Sequence, residues 1–426
     1  MAMQHYSVND LRLLVPALLV ALAAAPAAAR SADAGQARFA SIVAGTGRTC
    51  GIDAVGGVAC WGQDSDGYSR VSLLGVGERE MERCTAYDQT RPCSRVPLRV
   101  AVPAPVKALA VGNAHTCALA TDGRVFCWGE NRLGSLGAPA NVARGSGTPR
   151  LMATPLRFTA ISGWSGTTCG VATDGVAYCW GVNDHGQGGM GARPCGMYPC
   201  NRTPTAVGGP VRFTRVSAGE YLTCGVARDG AAYCWGIQAG DTASGGEAGR
   251  GSGRPVRLDL PEPVVDVSVG SMHACALGRS GRAYCWGEGD FGDLGDGTTG
   301  TRTTAARVEG DHRFTALSAG ARVSCGLTAE GALWCWGRNN WGQLGTGRTD
   351  MQPHPTPVRV PGDTRFRTVA VHEAVCATNA EGRGWCWGAN GWGQGGTGPV
   401  DGETPCLSSL ARGHCSPTPR PVREPR

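Results

Sequence analysis

His115-Thr-Cys-Ala-Leu-Ala-Thr-Asp-Gly-Arg-Val-Phe-Cys-Trp-Gly129 decides the fold. Two cysteines, Cys117 and Cys127, stand ten positions apart, with Asp122 midway and Gly123 after it. A three-residue loop Thr121-Asp122-Gly123 makes Ala120 oppose Arg124, because a type I turn closed by a residue at φ > 0 is the usual three-residue hairpin and glycine takes that φ without a Cβ clash. Stepping outward along the two strands, Cys117 then faces Cys127. Facing positions on antiparallel strands bring Cβ atoms to about 4.5–5.5 Å, close enough for a disulfide after slight adjustment.

The pattern recurs seven times. The pairs are Cys50 with Cys60, Cys117 with Cys127, Cys169 with Cys179, Cys224 with Cys234, Cys275 with Cys285, Cys325 with Cys335 and Cys376 with Cys386. Each second cysteine precedes Trp-Gly, and each midpoint precedes glycine, from Gly56 to Gly382. The first cysteine recurs at steps of 67, 52, 55, 51, 50 and 51 residues, and a period of that size marks a repeat architecture. Each pair is isolated within its repeat, whereas a metal site needs ligands that converge in fours, so the pairs are read as cross-strand disulfides.

Two further segments alternate apolar and polar residues as strands do. One begins Phe158-Thr-Ala-Ile, Phe213-Thr-Arg-Val or Phe314-Thr-Ala-Leu; the other carries proline, as in Pro255-Val-Arg-Leu. Both are read as preceding the hairpin. Four short strands per repeat predict an all-β, seven-bladed propeller. The first repeat, from Phe39, lacks its proline strand, and the chain finishes on Thr418-Pro-Arg-Pro-Val422. Pairing of these N- and C-terminal strands in one blade is expected to close the ring and remove an open sheet edge. The tryptophan after each second cysteine falls on the opposite sheet face and is expected to pack between blades.

Composition sets the compartment and excludes several classes. Among 426 residues there are 67 glycines, 20 cysteines and a net charge of +6. So much glycine, without a Gly-X-Y period, excludes long coiled coils and collagen. The positive charge is spread over the repeats without aromatic interleaving, which weighs against nucleic acid. Arg12 precedes an apolar run, Leu13 to Ala29, ending in three alanines. That is the form of a secretory signal peptide, with no second run long enough to span a membrane. The expected organisation is signal peptide 1–29, linker 30–38, propeller 39–422 and tail 423–426. An exported chain with an even cysteine count is expected to be disulfide-bonded in a secreted, periplasmic or cell-surface location.

The stretch His115 to Gly129, and Arg338-Asn-Asn-Trp-Gly-Gln-Leu-Gly-Thr-Gly347, resemble the repeat of the regulator of chromosome condensation family. The likeness runs from Phe39 to Val422. It implies a seven-bladed propeller but no single activity, since the family includes a nuclear exchange factor for a small GTPase and a secreted bacterial inhibitor of β-lactamases. The segment after Trp235 departs from the family pattern, and two repeats have Trp164 and Val371 where most others have glycine five positions before the first cysteine.

Chemistry is sought in departures from the repeat. His115 and His273 share a repeat position that no other blade fills with histidine, so they are read as structural donors. Gly287-Glu-Gly289-Asp-Phe-Gly292 matches a dinucleotide motif without the helix it needs. Gly163-Trp-Ser165-Gly is one residue short of a nucleophile elbow. Asp64 with Asp66, and Asp290, Asp293 and Asp296, are weighed as calcium ligands and read as turn residues. Asn201-Arg-Thr203 is a glycosylation sequon. No catalytic constellation, cofactor or metal site is found.

The remaining cysteines pair as Cys84 with Cys93, Cys195 with Cys200 and Cys406 with Cys415, in long connections after blades 1, 3 and 7 that leave one face. Pinned loops are pre-ordered, which lowers the entropy cost of binding. The candidate binding residues are Glu80, Met81, Arg83, Tyr87 and Arg91, then Arg193, Met197, Tyr198 and Arg202, then Trp392 and Leu407. The expected function is an exported, non-catalytic propeller that binds a protein or a cell-surface polymer. The alternatives are a guanine-nucleotide exchange factor, by resemblance alone, and an enzyme with a central pocket.

Overall fold

The computed structural model describes residues 35–68, 71–138, 144–195, 198–237, 252–398, 404–406 and 414–426. The signal-peptide segment, Met197 and Leu407 lie outside the described residues. The compact unit spans Gln36–Arg426. It consists of seven antiparallel sheets in sequence order, and the described residues contain no helix. Blade 2 shows the pattern: Val106–Val111, His115–Ala120, Val125–Glu130 and Gly145–Leu151 pair consecutively. The innermost strand of each blade packs against the innermost strands on either side, through Ser41–Ala44 and back to Phe366–Val371, so the circle closes around one axis.

The hairpin reading holds in register. Cys117 pairs with Cys127 as Cα partners, and the equivalent cysteines face each other in the other six blades. All seven expected blade disulfides are present: Cys50 to Cys60, Cys117 to Cys127, Cys169 to Cys179, Cys224 to Cys234, Cys275 to Cys285, Cys325 to Cys335 and Cys376 to Cys386. In each the Cα atoms are 4.1 Å apart, closer than in most disulfides because the two residues sit directly opposite on paired strands. The turn glycine is at positive φ in each blade, +85° at Gly123. Its carbonyl also links blades: Gly123 accepts from Phe158 N at 2.9 Å, and Gly382 from Phe39 N at 2.6 Å across the closure.

The phase of the blade differs from expectation. The proline-bearing strand follows its hairpin and takes the outer edge of the same blade, as His414–Pro421 does beside Gly384–Ala389. Proline lacks a backbone donor, so a sheet edge tolerates it and a central position does not. The chain ends therefore do not share a blade. They meet instead through short bridges: Gln36 with Arg423, Arg38 with Arg383, and Ala37 N to Val422 O at 2.9 Å. Arg426 N donates to Pro97 O at 2.9 Å, so Gln36, Ala37 and Arg38 of the expected linker and the expected tail are bonded into the ring.

The blade tryptophans pack between blades. Trp61, Trp128, Trp180, Trp235, Trp336 and Trp387 are fully buried. In five blades the indole Nε1 donates to a backbone carbonyl of the preceding blade, for example Trp336 to Asp293 O at 2.9 Å and Trp387 to Gln343 O at 2.9 Å. Trp128 and Trp286 have no such partner among the described residues. They follow blades 1 and 4, whose sequences depart from the repeat in the segment that supplies the carbonyl. The glycine after each tryptophan is also required: at Gly129, φ is +99° and a Cβ would lie 2.3 Å from Ala114 O.

Candidate functional site at the channel mouth

In every blade the turn from first to second strand and the loop leaving the third strand emerge on one face. Here it is called the loop face. The turns form a collar around the axis, linked from blade to blade by backbone bonds such as Asn113 N to Ser165 O (2.7 Å) and Ala321 N to His372 O (3.2 Å). Glycine is needed where the collar is tight, since a Cβ on Gly112 would lie 2.4 Å from Ser165 O. The two departures noted in the sequence now have a place. Trp164 of blade 3 stacks on His372 of blade 7, the residue after Val371, with ring centroids 4.1 Å apart. Those blades lie across a ring of seven, so the stack crosses the axis and closes the channel at this face. Burial, and then Arg48, hold the His372 pKa down to about 3, so its ring is neutral.

Strain collects at the same place. Among the described residues, the non-glycine positions at positive φ are Tyr87 (50°), Asp88 (57°), Ser165 (46°) and Arg322 (65°). Each conformation costs about 1–3 kcal/mol and persists only where the surroundings enforce it. Tyr87 and Asp88 form the two-residue turn between Glu82–Ala86 and Gln89–Val100, where a primed turn favours Asn-Gly. The Cys84–Cys93 bridge staples that hairpin, so the connection expected as a loop is a fifth strand on blade 1. Cys195–Cys200 and Cys406–Cys415 staple the equivalent additions on blades 3 and 7.

The hairpin brings three predicted residues together. Tyr87 lies on Trp392 with centroids 6.4 Å apart, and the Arg91 guanidinium stands 5.5 Å from the Trp392 ring. Trp392, expected to be exposed, is covered by Tyr87 and only 4% exposed. Cys406, His414 and Trp341 line the same crevice, so the stapled additions of blades 1 and 7 do meet. The blade 3 addition leans elsewhere, with the Arg202 backbone against Gly134 of blade 2. Its Arg193 and Tyr198 are exposed. Met81 is half-buried beside the blade 1–2 core, Arg83 donates to Thr90 O at 3.2 Å, and Glu80 is exposed.

Sequence reasoning missed the rest of the site. Phe291, Trp341 and Trp392 each stand five residues after their blade's tryptophan, and together they make an aromatic arc over blades 5 to 7. Arg338 lies 5.0 Å from the Phe291 ring and 5.2 Å from that of Trp341. Arg322 stands 5.9 Å from Phe291 and pairs with Glu288 at 2.7 Å. His185 meets Tyr221 edge to face at 5.0 Å. The common offset was a readable signal, though only the closed ring shows that these rings line one arc. Burial, with Arg322 adding to it, pushes the Arg338 pKa down. Burial pushes Glu220 up, and raises the Glu373 carboxyl to about 7 against a hydrogen bond from Gly47 N–H.

Other candidates resolve into structural roles. His115 and His273 reach across to the next blade, Nε2 lying 2.6 Å from Thr168 Oγ1 and 2.7 Å from Ser324 Oγ. The aspartates considered for calcium diverge: Asp64 accepts from Ser72 and from Leu74 N, Asp293 is buried, and Asp296 pairs with Arg302 at 2.9 Å. The described residues hold no cluster of three metal-ligating side chains. Asn201 of the sequon is buried and donates to Gly188 O at 2.9 Å, so it is not available for glycosylation in the folded chain.

The fold is thus a closed seven-bladed β-propeller whose one face carries a plugged channel mouth, an aromatic arc and stapled hairpins. The chain belongs to the regulator of chromosome condensation (RCC1) repeat family, which it matches over residues 106–171, 174–226 and 264–377. Among curated proteins it is 28% identical over 285 residues to the ultraviolet-B receptor UVR8 of Arabidopsis thaliana, covering 64% of this chain and 58% of that one. It is 28% identical over 217 residues to the human E3 ubiquitin-protein ligase HERC2, covering 48% of this chain and 4% of the ligase. The chain thus spans less than two thirds of either relative. Among solved structures it resembles human WBSCR16 (TM-score 0.70, 18% identity, 86% of this chain and 94% of that one). It also resembles Prp20p of Saccharomyces cerevisiae (TM-score 0.66, 19% identity, 85% of each), a structure described together with that protein's binding to Gsp1p and histones.

Proposed function

We propose that this protein is an exported, non-catalytic propeller that binds a protein partner through its loop face. The observation that carries the reading is the pair Phe291 and Trp341, interleaved with Arg322 and Arg338 and continued by the stapled Tyr87 hairpin that covers Trp392. Aromatic and arginine side chains dominate the binding energy of protein interfaces. Tyr68, 81% exposed, and Tyr198, 48% exposed, extend the surface outward on the same face. Disulfides and enforced turns hold these groups in place before binding, which lowers its entropy cost. Binding of Gsp1p and histones by the yeast relative supports a protein partner as the class. Ten disulfides are at home in an oxidising compartment, which agrees with the leader-like N-terminus. The Trp164–His372 stack fills the space a central substrate pocket would need, which favours binding over catalysis. Among the described residues no helix is long and apolar enough to cross a membrane.

The test is affinity capture from the native exported fraction with the wild-type chain and with Trp341→Ala combined with Tyr68→Ala. Loss of a captured protein from the double variant by about tenfold or more is expected, while Val55→Ser on the opposite face leaves capture unchanged. Undiminished capture by the double variant, or capture of a polysaccharide alone, refutes the reading.

A further inference from the structure

The face opposite the loop face is basic, and its charge is set out in a ring. That face is made by the hairpin turns and by the links from each outer strand to the next innermost strand. On the hairpin side of the blade disulfides the described residues hold 19 arginines and lysines against 13 acids, and on the loop side 14 against 15, leaving out Arg150 and Arg420, which are level with the bridges. The excess has a repeat position. The residue before the repeat phenylalanine is arginine in five blades: Arg38, Arg157, Arg212, Arg313 and Arg365. Pro105 and Pro263 take that position in blades 2 and 5, and blade 2 has Lys107 two residues further on.

The fold holds these arginines at one level. In all five blades the following phenylalanine N–H is bonded to the turn glycine of the preceding blade, as Phe213 N is to Gly175 O at 2.7 Å. Each arginine therefore lies against that turn: a Cβ on Gly123 would be 3.1 Å from Arg157 Cβ, on Gly175 3.2 Å from Arg212 Cβ, and on Gly331 2.8 Å from Arg365 Cβ. All five arginines, and Lys107, are exposed, and none of the six forms an ion pair among the described residues. Arg157, Arg212 and Arg313 donate to carbonyls of their own links, such as Leu156 O at 3.1 Å. Acids of the same face stand at the hairpin tips, where Asp122, Asp174 and Asp229 each accept a turn N–H. Within the rim the one acid is Asp266 of blade 5, facing Arg215 at 3.9 Å. Like charges fixed on a ring, without a built-in counter-charge, raise the local potential and draw an external anion. Because one repeat position supplies them, they share a plane across the axis. A flat array of anions meets all of them at once, whereas a linear chain meets only an arc.

We propose that the hairpin face docks on a membrane surface carrying anionic lipid headgroups, with the arginine ring as the seat. Arginine forks pair with headgroup phosphates in the plane of the ring. Docked this way, the propeller turns its loop face away from the membrane and leaves it free. The inference does not depend on the loop-face reading.

The test is co-sedimentation of the exported, oxidised protein with vesicles of phosphatidylcholine containing about 30% phosphatidylglycerol, and with vesicles of phosphatidylcholine alone. Binding is expected to the anionic vesicles at about 50 mM salt and to fall away at about 500 mM, where the Debye length shrinks to a few ångströms. Arg157→Gln with Arg212→Gln and Arg365→Gln should weaken binding by at least about tenfold, since each basic residue near an anionic surface adds to the attraction. Arg79→Gln with Arg144→Gln and Arg348→Gln removes the same charge from the loop side and should leave binding within about twofold of wild type. An unchanged melting temperature shows that both triple variants are folded, and the salt titration of the wild-type protein decides the question if either is not. Equal losses from the two triple variants, binding to phosphatidylcholine alone, binding indifferent to salt, or no binding to anionic vesicles overturns the proposal. Soluble polyphosphate that binds as tightly as the vesicles and displaces the protein from them overturns the planar partner in favour of a linear polyanion. Partner capture by the loop face is read separately, with no vesicles present, so either proposal can fail without the other.

Discussion

Replacing Asp293 with asparagine should stabilise the propeller, and only above the pH at which the acid ionises. Asp293 is 0% exposed in blade 5, and its Oδ2 lies 3.8 Å from His273 Nδ1, with neither atom hydrogen-bonded. Burial, opposed by Arg322, raises its pKa from 3.8 to about 6. A raised carboxyl binds more protons folded than unfolded between those two values, so stability falls as pH rises from 3.8 to about 6 and is level above. A shift of about two units at ~1.36 kcal/mol each makes the ionised group cost roughly 3 kcal/mol at pH 8. Asparagine keeps the shape and the acceptor that takes Phe291 N–H at 3.1 Å, and loses the charge. For a unit of this size the unfolding entropy is roughly 0.8 kcal/mol/K, so the expected gain is about 4 °C at pH 8 and close to nothing at pH 4. His273, held neutral by burial with a pKa of about 3, destabilises both proteins alike as pH falls below its ordinary value, so it cancels in the difference. The assay is calorimetry of both proteins, disulfides intact, from pH 4 to pH 8. A gain independent of pH, or a loss at pH 8, refutes the reasoning.

Other outcomes follow from the same geometry. Trp336→Phe should cost about 1 kcal/mol more than Trp286→Phe, measured by denaturant unfolding, because only Trp336 donates its indole N–H to a neighbouring blade. Gly181→Ala should prevent folding, read as loss of soluble oxidised protein, since φ is +94° and the added Cβ would sit 2.0 Å from Gly166 O. Cys117→Ser with Cys127→Ser opens a blade bridge and should cost about 2–3 kcal/mol of stability. Cys84→Ser with Cys93→Ser should cost less, yet lose partner capture because Tyr87 is released; equal effects on capture from both double variants would contradict a binding role for that hairpin.

Each blade core was legible because its information is local. A ten-residue cysteine spacing with glycine after the midpoint dictates strand, turn, strand and register within one hairpin, and that hairpin appears in the structure with Cys117 opposite Cys127 and Gly123 at positive φ. The phase of the blade was not read, because a proline strand looks alike before or after its hairpin, and only sheet pairing shows that it takes the edge. The candidate site divides in the same way. Tyr87, Arg91 and Trp392 were found because cysteines marked their loops, while Phe291, Trp341, Glu373 and the Trp164–His372 stack were not found as a site.

What the sequence determined alone is therefore everything that repeats within about fifty residues: seven blades, their disulfides, and the tryptophan and glycine positions between them. Only the tertiary structure decided the mouth. Trp164 and His372 lie four blades apart along the chain and become neighbours because a ring of seven blades brings the same turn of every repeat to one axis. Short-range spacing controls the backbone of a hairpin, whereas ring closure controls which departures from the repeat come face to face.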